Sequence, residues 1–330
     1  MRSFLKKLVL FVITIFVVVA VIEVVLRNFF PVYPTGDLRA FVYDEQLGYR
    51  LPPGTREIYT TDHQEELVVN GLGTTNFQRD FNGYQHLVFA IGDSYTEGTG
   101  VPADMSYPAQ LDLMLNRDDH GMYAKNFGIV NLGLSGYGGE QELIALDRAT
   151  QQIGSPSVIM YLGCDNDHDD DVLFSSGHAH KHIVRGSPYW GPLVKPMQFL
   201  TNDLQIGLRT KLAIAALRER NIAVDGGRST AELEISVLER LLRYAAAHNS
   251  RLVVGWSTEG DSYSWLKNWA VQNKVAFADW APRVDSATNA IPDLPTENPH
   301  SSGHHRGWVN TIIAEEFAAA IKSALPQAPE

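Results

Sequence analysis

The stretch Leu87–Gly98, LVFAIGDSYTEG, runs through five apolar residues, ends in Gly-Asp-Ser and then turns polar. A short apolar run closed by glycine fits a strand buried on both faces, as in parallel sheets. Four further runs follow it: Ile129–Leu132, Val158–Leu162, Leu252–Val254 and Val275–Ala278. Helical patterns near 106–116, 140–152, 230–248, 262–272 and 308–324 alternate with them. Strands alternating with helices signal a parallel sheet with crossover connections. The helix near 230–248 opens with a capping box, Ser229 and Glu232, and carries Val237, Leu238, Leu241, Leu242 and Ala245 at helical spacing. In the last helix Val309, Ile312, Ile313, Phe317 and Ile321 share one face. The pattern predicts a three-layer α/β/α sandwich around a five-stranded parallel sheet over residues 87–330.

Outward from this core the texture changes. Residues 31–86 are rich in Pro, Gly and polar groups, with strand-like pieces such as Glu66–Asn70, and read as a stalk and irregular lead-in. Residues 164–228 hold no clear strand. They open with an acidic run, pass His178, His180 and His182, and end in a helical pattern near 202–220. An insertion of this size beside a sheet commonly forms a lid or a substrate wall.

At the N-terminus, Leu8–Leu26 (LVLFVITIFVVVAVIEVVL) is apolar except for Thr14 and Glu23. At 1.5 Å per residue such a helix spans roughly 28 Å, about one bilayer core. It is longer than the apolar part of a cleaved leader and is followed by Glu23, Arg27 and Phe29 rather than by small residues. Residues 1–30 therefore read as a cytoplasmic tip and transmembrane anchor, with residues 8–26 in the membrane. Arg2, Lys6 and Lys7 precede the segment, which keeps the N-terminus cytoplasmic and sends the remaining chain to the other side.

Of 330 residues, 27 are Lys or Arg and 38 Asp or Glu, for a net charge of −11. That balance argues against nucleic acid, whose phosphates demand a basic face. The single cysteine, Cys164, cannot form an internal disulfide, which suits a reducing compartment or a periplasmic protein stable without one.

Ligands of open parallel sheets bind beyond the carboxyl ends of the strands. The first run is followed by Gly92-Asp93-Ser94, the second by Asn131 and then Gly136, and the third by Asp165-Asn166-Asp167. A hydroxyl, a flexible backbone N–H and a side-chain amide are thus delivered toward one place. Acyl transfer needs those parts: a nucleophile for the carbonyl, and donors for the oxyanion that develops. Each motif alone is a common turn or cap. No G-x-S-x-G elbow, P-loop or dinucleotide fingerprint occurs in the corresponding positions.

These motifs resemble the SGNH (GDSL-like) hydrolases over about residues 40–325. The resemblance implies a flavodoxin-like fold and makes Ser94 the nucleophile. It implies an oxyanion hole of the Ser94 N–H, the Gly136 N–H and the Asn166 amide, with no metal or organic cofactor. Tyr43–Tyr49 (YDEQLGY) and Asn70-Gly71-Leu72-Gly73, behind an apolar N-terminus, look like the lead-in of bacterial membrane-anchored members. The family's base is a His before the final helix, with an Asp two or three residues ahead of it. His304 has the right spacing to the helix, but Ser301 and Ser302 stand where the acid belongs. His300, with Glu297 three residues before it, and His305 are the other candidates for base; Asp293 and Glu297 are those for the acid.

The expected activity is hydrolysis of ester (O-acyl) groups on carbohydrates or lipids, on the periplasmic side of a bacterial inner membrane. Transfer of acyl groups to exported polysaccharide is the alternative within the class. Outside it stand a non-catalytic glycan-binding envelope protein, suggested by the missing acid, and a metal enzyme built on Asp165–Asp171 and the His patch. Trp308, beside the histidines, is the aromatic most suited to meet a ligand.

Overall fold

The computed structural model describes residues 2–30, 41–60, 64–76, 80–117, 122–175, 200, 204–207, 209–210, 213, 230–258, 263–298 and 303–325. The chain divides into two compact units: residues 1–38 with 188–227, and residues 39–187 with 228–330.

In the first unit, helix α1 (Arg2–Phe29) includes a 24-residue span, Lys6–Phe29, of mean hydropathy 3.2, long and apolar enough to cross a membrane. Its described side chains are almost all exposed. Glu23 accepts hydrogen bonds from Arg27 Nε (2.7 Å) and from the Gln205 and Ile206 N–H groups (2.8 and 3.1 Å). A carboxylate in an apolar segment is tolerated when partners of this kind satisfy it. The helical pattern near 202–220 lies mostly outside the described residues, as do His178, His180 and His182.

The second unit opens with two hairpins, β1 (Val42–Asp44) with β2 (Gly48–Arg50) and β3 (Arg56–Thr60) with β4 (Gln64–Val68), each antiparallel. Next come β5 (His86–Gly92), the one-turn α2 (Ser94–Glu97), α3 (Tyr107–Asn116), β6 (Phe127–Asn131) and α4 (Gly139–Ile153). They are followed by β7 (Val158–Gly163), α5 (Asp167–Ser175), α6 (Thr230–Ala247), β8 (Arg251–Trp256) and α7 (Ser264–Asn273). The last elements are β9 (Ala276–Phe277), α8 (Ala281–Ala290) and α9 (Gly307–Ala324).

Strands β5 to β9 form one sheet in the order β6-β5-β7-β8-β9, and every neighbouring pair is parallel. Along β5 the side chains alternate between two cores. Val88 and Ala90 pack with Tyr107 and Leu111 of α3 and with Val309 and Ile313 of α9. Phe89 and Ile91 pack with Leu146 of α4 and Leu238 and Leu241 of α6. This is why the strand sequence is continuously apolar rather than alternating: both faces are covered, and each fully buried side chain of this size contributes about 1.5–3 kcal/mol. The five-stranded sheet and its two helical layers are those expected from the sequence. Helix α8, which the sequence reading did not anticipate, buries only Ala281 and Val284 and so lacks a long apolar stripe.

The lead-in is packed rather than loose. Leu47, Tyr49, Leu51, Leu67 and Val69 form a third cluster with Leu134 and Tyr137, residues of the loop after β6.

Candidate active site

Because all five strands are parallel, their carboxyl ends lie along one edge of the sheet, and the loops after β5, β6 and β7 start there. At the end of β5, buried Asp93 caps α2, accepting the Tyr95 N–H through Oδ1 at 3.0 Å. The cap fixes Ser94 as the first helical residue, so the Ser94 N–H is one of the donors that a helix start leaves without an internal acceptor. Ser94 Oγ stands 2.7 Å from His304 Nε2 and 3.3 Å from Asp93 Oδ2. The one hydroxyl proton of Ser94 is within reach of both Asp93 Oδ2 and His304 Nε2; when Nε2 accepts it, the imidazole carries its own proton on Nδ1.

His304 reaches this position from a loop pinned by short antiparallel pairing. The Asn298 N–H donates to the His304 carbonyl (2.8 Å) and the Arg306 N–H to the Thr296 carbonyl (2.8 Å). Gly303 enters the loop at φ +84°, in the left-handed region where a side chain is strained. The Tyr95 hydroxyl donates to the Gly303 carbonyl (3.3 Å), and its ring lies 4.9 Å from that of His304.

The neighbouring histidine points the other way. His305 Nε2 donates to the Ser257 carbonyl (2.6 Å), and its ring meets Trp280 edge-on at 5.0 Å. Burial pushes its pKa down to about 4, so it is neutral at ordinary pH. Of the three histidines left open by sequence, His304 meets Ser94, His305 faces the core and His300 lies outside the described residues. Of the two candidate acids, Asp293 is exposed on a left-handed turn (φ +61°). Glu297 is also exposed, yet a Cβ built on Gly303 would stand 3.6 Å from its Oε2, which places its carboxylate beside the histidine loop.

After β6, Asn131 Nδ2 donates to the Thr96 carbonyl (2.9 Å) and its Oδ1 accepts the Gly133 N–H (3.0 Å). The Leu134 N–H donates to the Gly92 carbonyl (3.3 Å), the Ser135 N–H to Glu97 Oε2 (2.7 Å) and the Tyr137 N–H to the Leu134 carbonyl (3.0 Å). Gly136, at φ +74°, has no acceptor for its N–H among the described residues. One donor along this loop is therefore left for a ligand. Sequence reading missed Glu97, although its place three residues after Ser94 puts it on the same face of a helix.

After β7, Asn166 is exposed and donates from Nδ2 to Asp170 Oδ2 (2.7 Å), leaving its second amide hydrogen free to donate. Burial lifts the Asp170 pKa to about 7 against the lowering effect of that bond. Asp167 Oδ2 accepts the Cys164 N–H (2.9 Å) and the Tyr161 hydroxyl (3.2 Å), which shapes the turn carrying Asn166. Burial and the nearby Glu142, Asp93 and Glu234 carboxylates raise the Asp167 pKa well above the usual range. Glu142 is raised in the same way, and neither of its buried oxygens has a hydrogen-bond partner among the described residues. The Cys164 thiol is buried and its pKa is pushed up by burial, Asp93 and Asp167, so it is a poor nucleophile.

Among the described residues no group of three His, Cys, Asp or Glu is placed to hold a metal ion. Asp165 instead accepts from Trp256 Nε1 (3.1 Å) and the Thr258 hydroxyl (2.9 Å). Trp308 donates from Nε1 to the Pro295 carbonyl (2.9 Å) and packs against the core under α9.

No protein-family model and no curated protein sequence matches the chain. Solved structures similar to it include a member of the lipolytic protein G-D-S-L family from Veillonella parvula, at 13% identity over 72% of this chain and 99% of that one, TM-score 0.43. Another is an alpha/beta hydrolase enzyme from the metagenome of Lake Arreo, at 15% identity over 74% and 99%, TM-score 0.44. A third is a catalytic mutant of an acetylxylan esterase from Geobacillus stearothermophilus, at 14% identity over 72% and 95%, TM-score 0.40.

Proposed function

We propose that the chain is a serine ester hydrolase of the SGNH type. The observation that carries this reading is the 2.7 Å contact between Ser94 Oγ and His304 Nε2 at the carboxyl edge of a parallel sheet. His304 takes the Ser94 proton as Oγ bonds to the ester carbonyl carbon. The negative charge moves to the carbonyl oxygen, which the Ser94 N–H, the Gly136 N–H and the Asn166 amide receive as hydrogen-bond donors. When the tetrahedral species collapses, the C–O bond to the alcohol breaks and His304 returns the proton to the leaving oxygen. Water, deprotonated by His304, then attacks the acyl-serine; the acyl C–Oγ bond breaks, His304 returns the proton to Ser94 Oγ and the acid leaves. An acceptor hydroxyl in place of water would give acyl transfer by the same steps.

The orienting group for His304 is assigned to Glu297, whose carboxylate lies nearer the histidine loop than that of Asp293. Loss of the acid position at Ser301 and Ser302 leaves the base and the oxyanion donors in place, and those are enough for substantial catalysis. The apolar segment 8–26, with Arg2, Lys6 and Lys7 ahead of it, supports a substrate outside the cytoplasm, where O-acyl groups on envelope carbohydrate or lipid are the accessible esters.

The test is turnover of p-nitrophenyl acetate by the full chain in detergent micelles. Wild type is expected to turn over, and Ser94→Ala and His304→Ala to lose at least about a thousandfold in kcat/KM. Equal activity in wild type and Ser94→Ala would overturn the assignment. An inert wild type would favour a glycan-binding role for the same fold.

A further inference from the structure

We infer that Tyr49 and Glu97 are positioning residues for the oxyanion hole, Tyr49 holding the carbonyl of the Ser135–Gly136 peptide and Glu97 the N–H and hydroxyl of Ser135, so that the Gly136 N–H points at the substrate; this rests on the ester-hydrolase reading. The geometry is a clamp closed from two sides. Glu97 Oε2 accepts both the Ser135 N–H (2.7 Å) and the Ser135 Oγ–H (2.5 Å). Since the single Ser135 hydroxyl proton is engaged there, the Thr99 hydroxyl, 3.0 Å away, donates to Ser135 Oγ. From the lead-in, the Tyr49 hydroxyl donates to the Ser135 carbonyl at 2.7 Å.

The consequence lies in peptide geometry. The Ser135 carbonyl and the Gly136 N–H belong to one planar trans unit and point in opposite directions. Fixing the carbonyl on Tyr49 therefore aims the N–H away from the lead-in. Gly136, at φ +74°, is free to rotate between orientations that other residues avoid, so the loop backbone alone does not select the one needed. Tyr49 is itself immobile: it is fully buried, and its carbonyl accepts the Tyr137 hydroxyl at 2.7 Å. Its ring packs edge-on against that of Tyr137 at 5.3 Å. Glu97 is fixed by the helix that presents the nucleophile, so one carboxylate links Ser94 and the oxyanion loop through three residues of chain. The lead-in hairpin is then part of the catalytic machinery, although it contributes no group that touches substrate.

The test compares full-length wild type, Tyr49→Phe, Glu97→Ala and Glu97→Gln in micelles with p-nitrophenyl acetate. Rates are expressed per Ser94 that can be labelled to completion by a fluorophosphonate, which removes any misfolded fraction. Tyr49→Phe keeps the ring and its packing. It is expected to lower kcat by about 10- to 100-fold, with KM within twofold, because an oxyanion donor is mis-aimed rather than deleted. Glu97→Ala should lose about as much, and Glu97→Gln should recover most of it, since the Gln carbonyl still accepts from the Ser135 N–H. A Tyr49→Phe kcat within twofold of wild type, or equal losses in Glu97→Ala and Glu97→Gln, overturns the inference. If wild type is neither active nor labelled, the hydrolase reading itself has failed. Crystal structures then decide the geometric claim: a rotated Ser135–Gly136 peptide in Tyr49→Phe supports it and an unmoved one refutes it.

Discussion

Around Gly136 the Ser135 peptide groups are held by side chains from two distant stretches of the chain, Tyr49 and Glu97, whereas the loop around His304 is held by paired main-chain bonds to Thr296–Asn298, to which the Tyr95 and Asn298 side chains add bonds. The first arrangement depends on particular functional groups and is vulnerable to single substitutions. The second is less dependent on side chains, with exceptions at Gly303, where the backbone is left-handed, at Tyr95 and Asn298, whose side chains bond to the loop carbonyls, and at the committed imidazoles of His304 and His305. Adjacent histidines thus divide two tasks: His304 meets the candidate nucleophile, and His305 ties the loop to the end of β8 through Ser257.

The sharpest way to break this comparison is to substitute the two histidines separately. His304→Gln is expected to lower kcat by about a thousandfold or more with an unchanged melting midpoint. His305→Gln should instead cost stability, with kcat per folded molecule within a few fold. If both variants lose activity alike, the division of tasks is wrong.

His305 also carries a pH signature. Its pKa falls from 6.5 when unfolded to about 4 when folded, so between those values the unfolded chain binds the extra proton. The stability contribution is full above pH 6.5 and disappears as pH falls through 4, an amount of roughly 3 kcal/mol. Urea denaturation of wild type and His305→Gln at pH 7 and pH 4.5 should therefore show the wild-type advantage shrinking. A constant difference would contradict the buried, neutral imidazole.

On the nucleophile side, the raised pKa of Glu142 makes the opposite forecast. The folded chain holds that proton longer than the unfolded one, so the penalty appears as pH rises above about 4.5. Glu142→Gln is expected to raise the melting midpoint at pH 8 by about 2–6 °C, with the gain vanishing toward pH 4. Gly303→Ala tests the main-chain loop and should destabilise by about 1 kcal/mol through its left-handed backbone. The smallest effect is expected from Glu297→Gln, a two- to fivefold fall in kcat, because its carboxylate is exposed and screened. A hundredfold loss there would make Glu297 as essential as the base.

The parallel sheet was legible because burial on both faces leaves an unmistakable signature: Leu87–Ile91 and Val158–Leu162 are apolar throughout, β5 extends the first by one residue at each end and β7 extends the second by one. The candidate nucleophile and the loops carrying Gly136 and Asn166 could be picked out because each follows a strand directly. The choice among His300, His304 and His305 was not, since it depends on pairing between 296–298 and 304–306 that spacing does not reveal. Tyr49 stood out only as the end of the YDEQLGY stretch, with nothing to show its contact: its hydroxyl acts 86 residues away in sequence, from a lead-in that reads as irregular. The short hairpins there are stabilised by packing on Leu134 and Tyr137 rather than by strand propensity.

The central claim is that Ser94 is activated by His304, and covalent labelling tests it most directly. Full-length wild type and His304→Gln would be treated with a fluorophosphonate and the modified peptide identified by mass spectrometry. The account expects a single adduct on Ser94, formed at least about a hundredfold more slowly without the imidazole. Labelling at another residue, or at Ser94 with the same rate in both proteins, would contradict it.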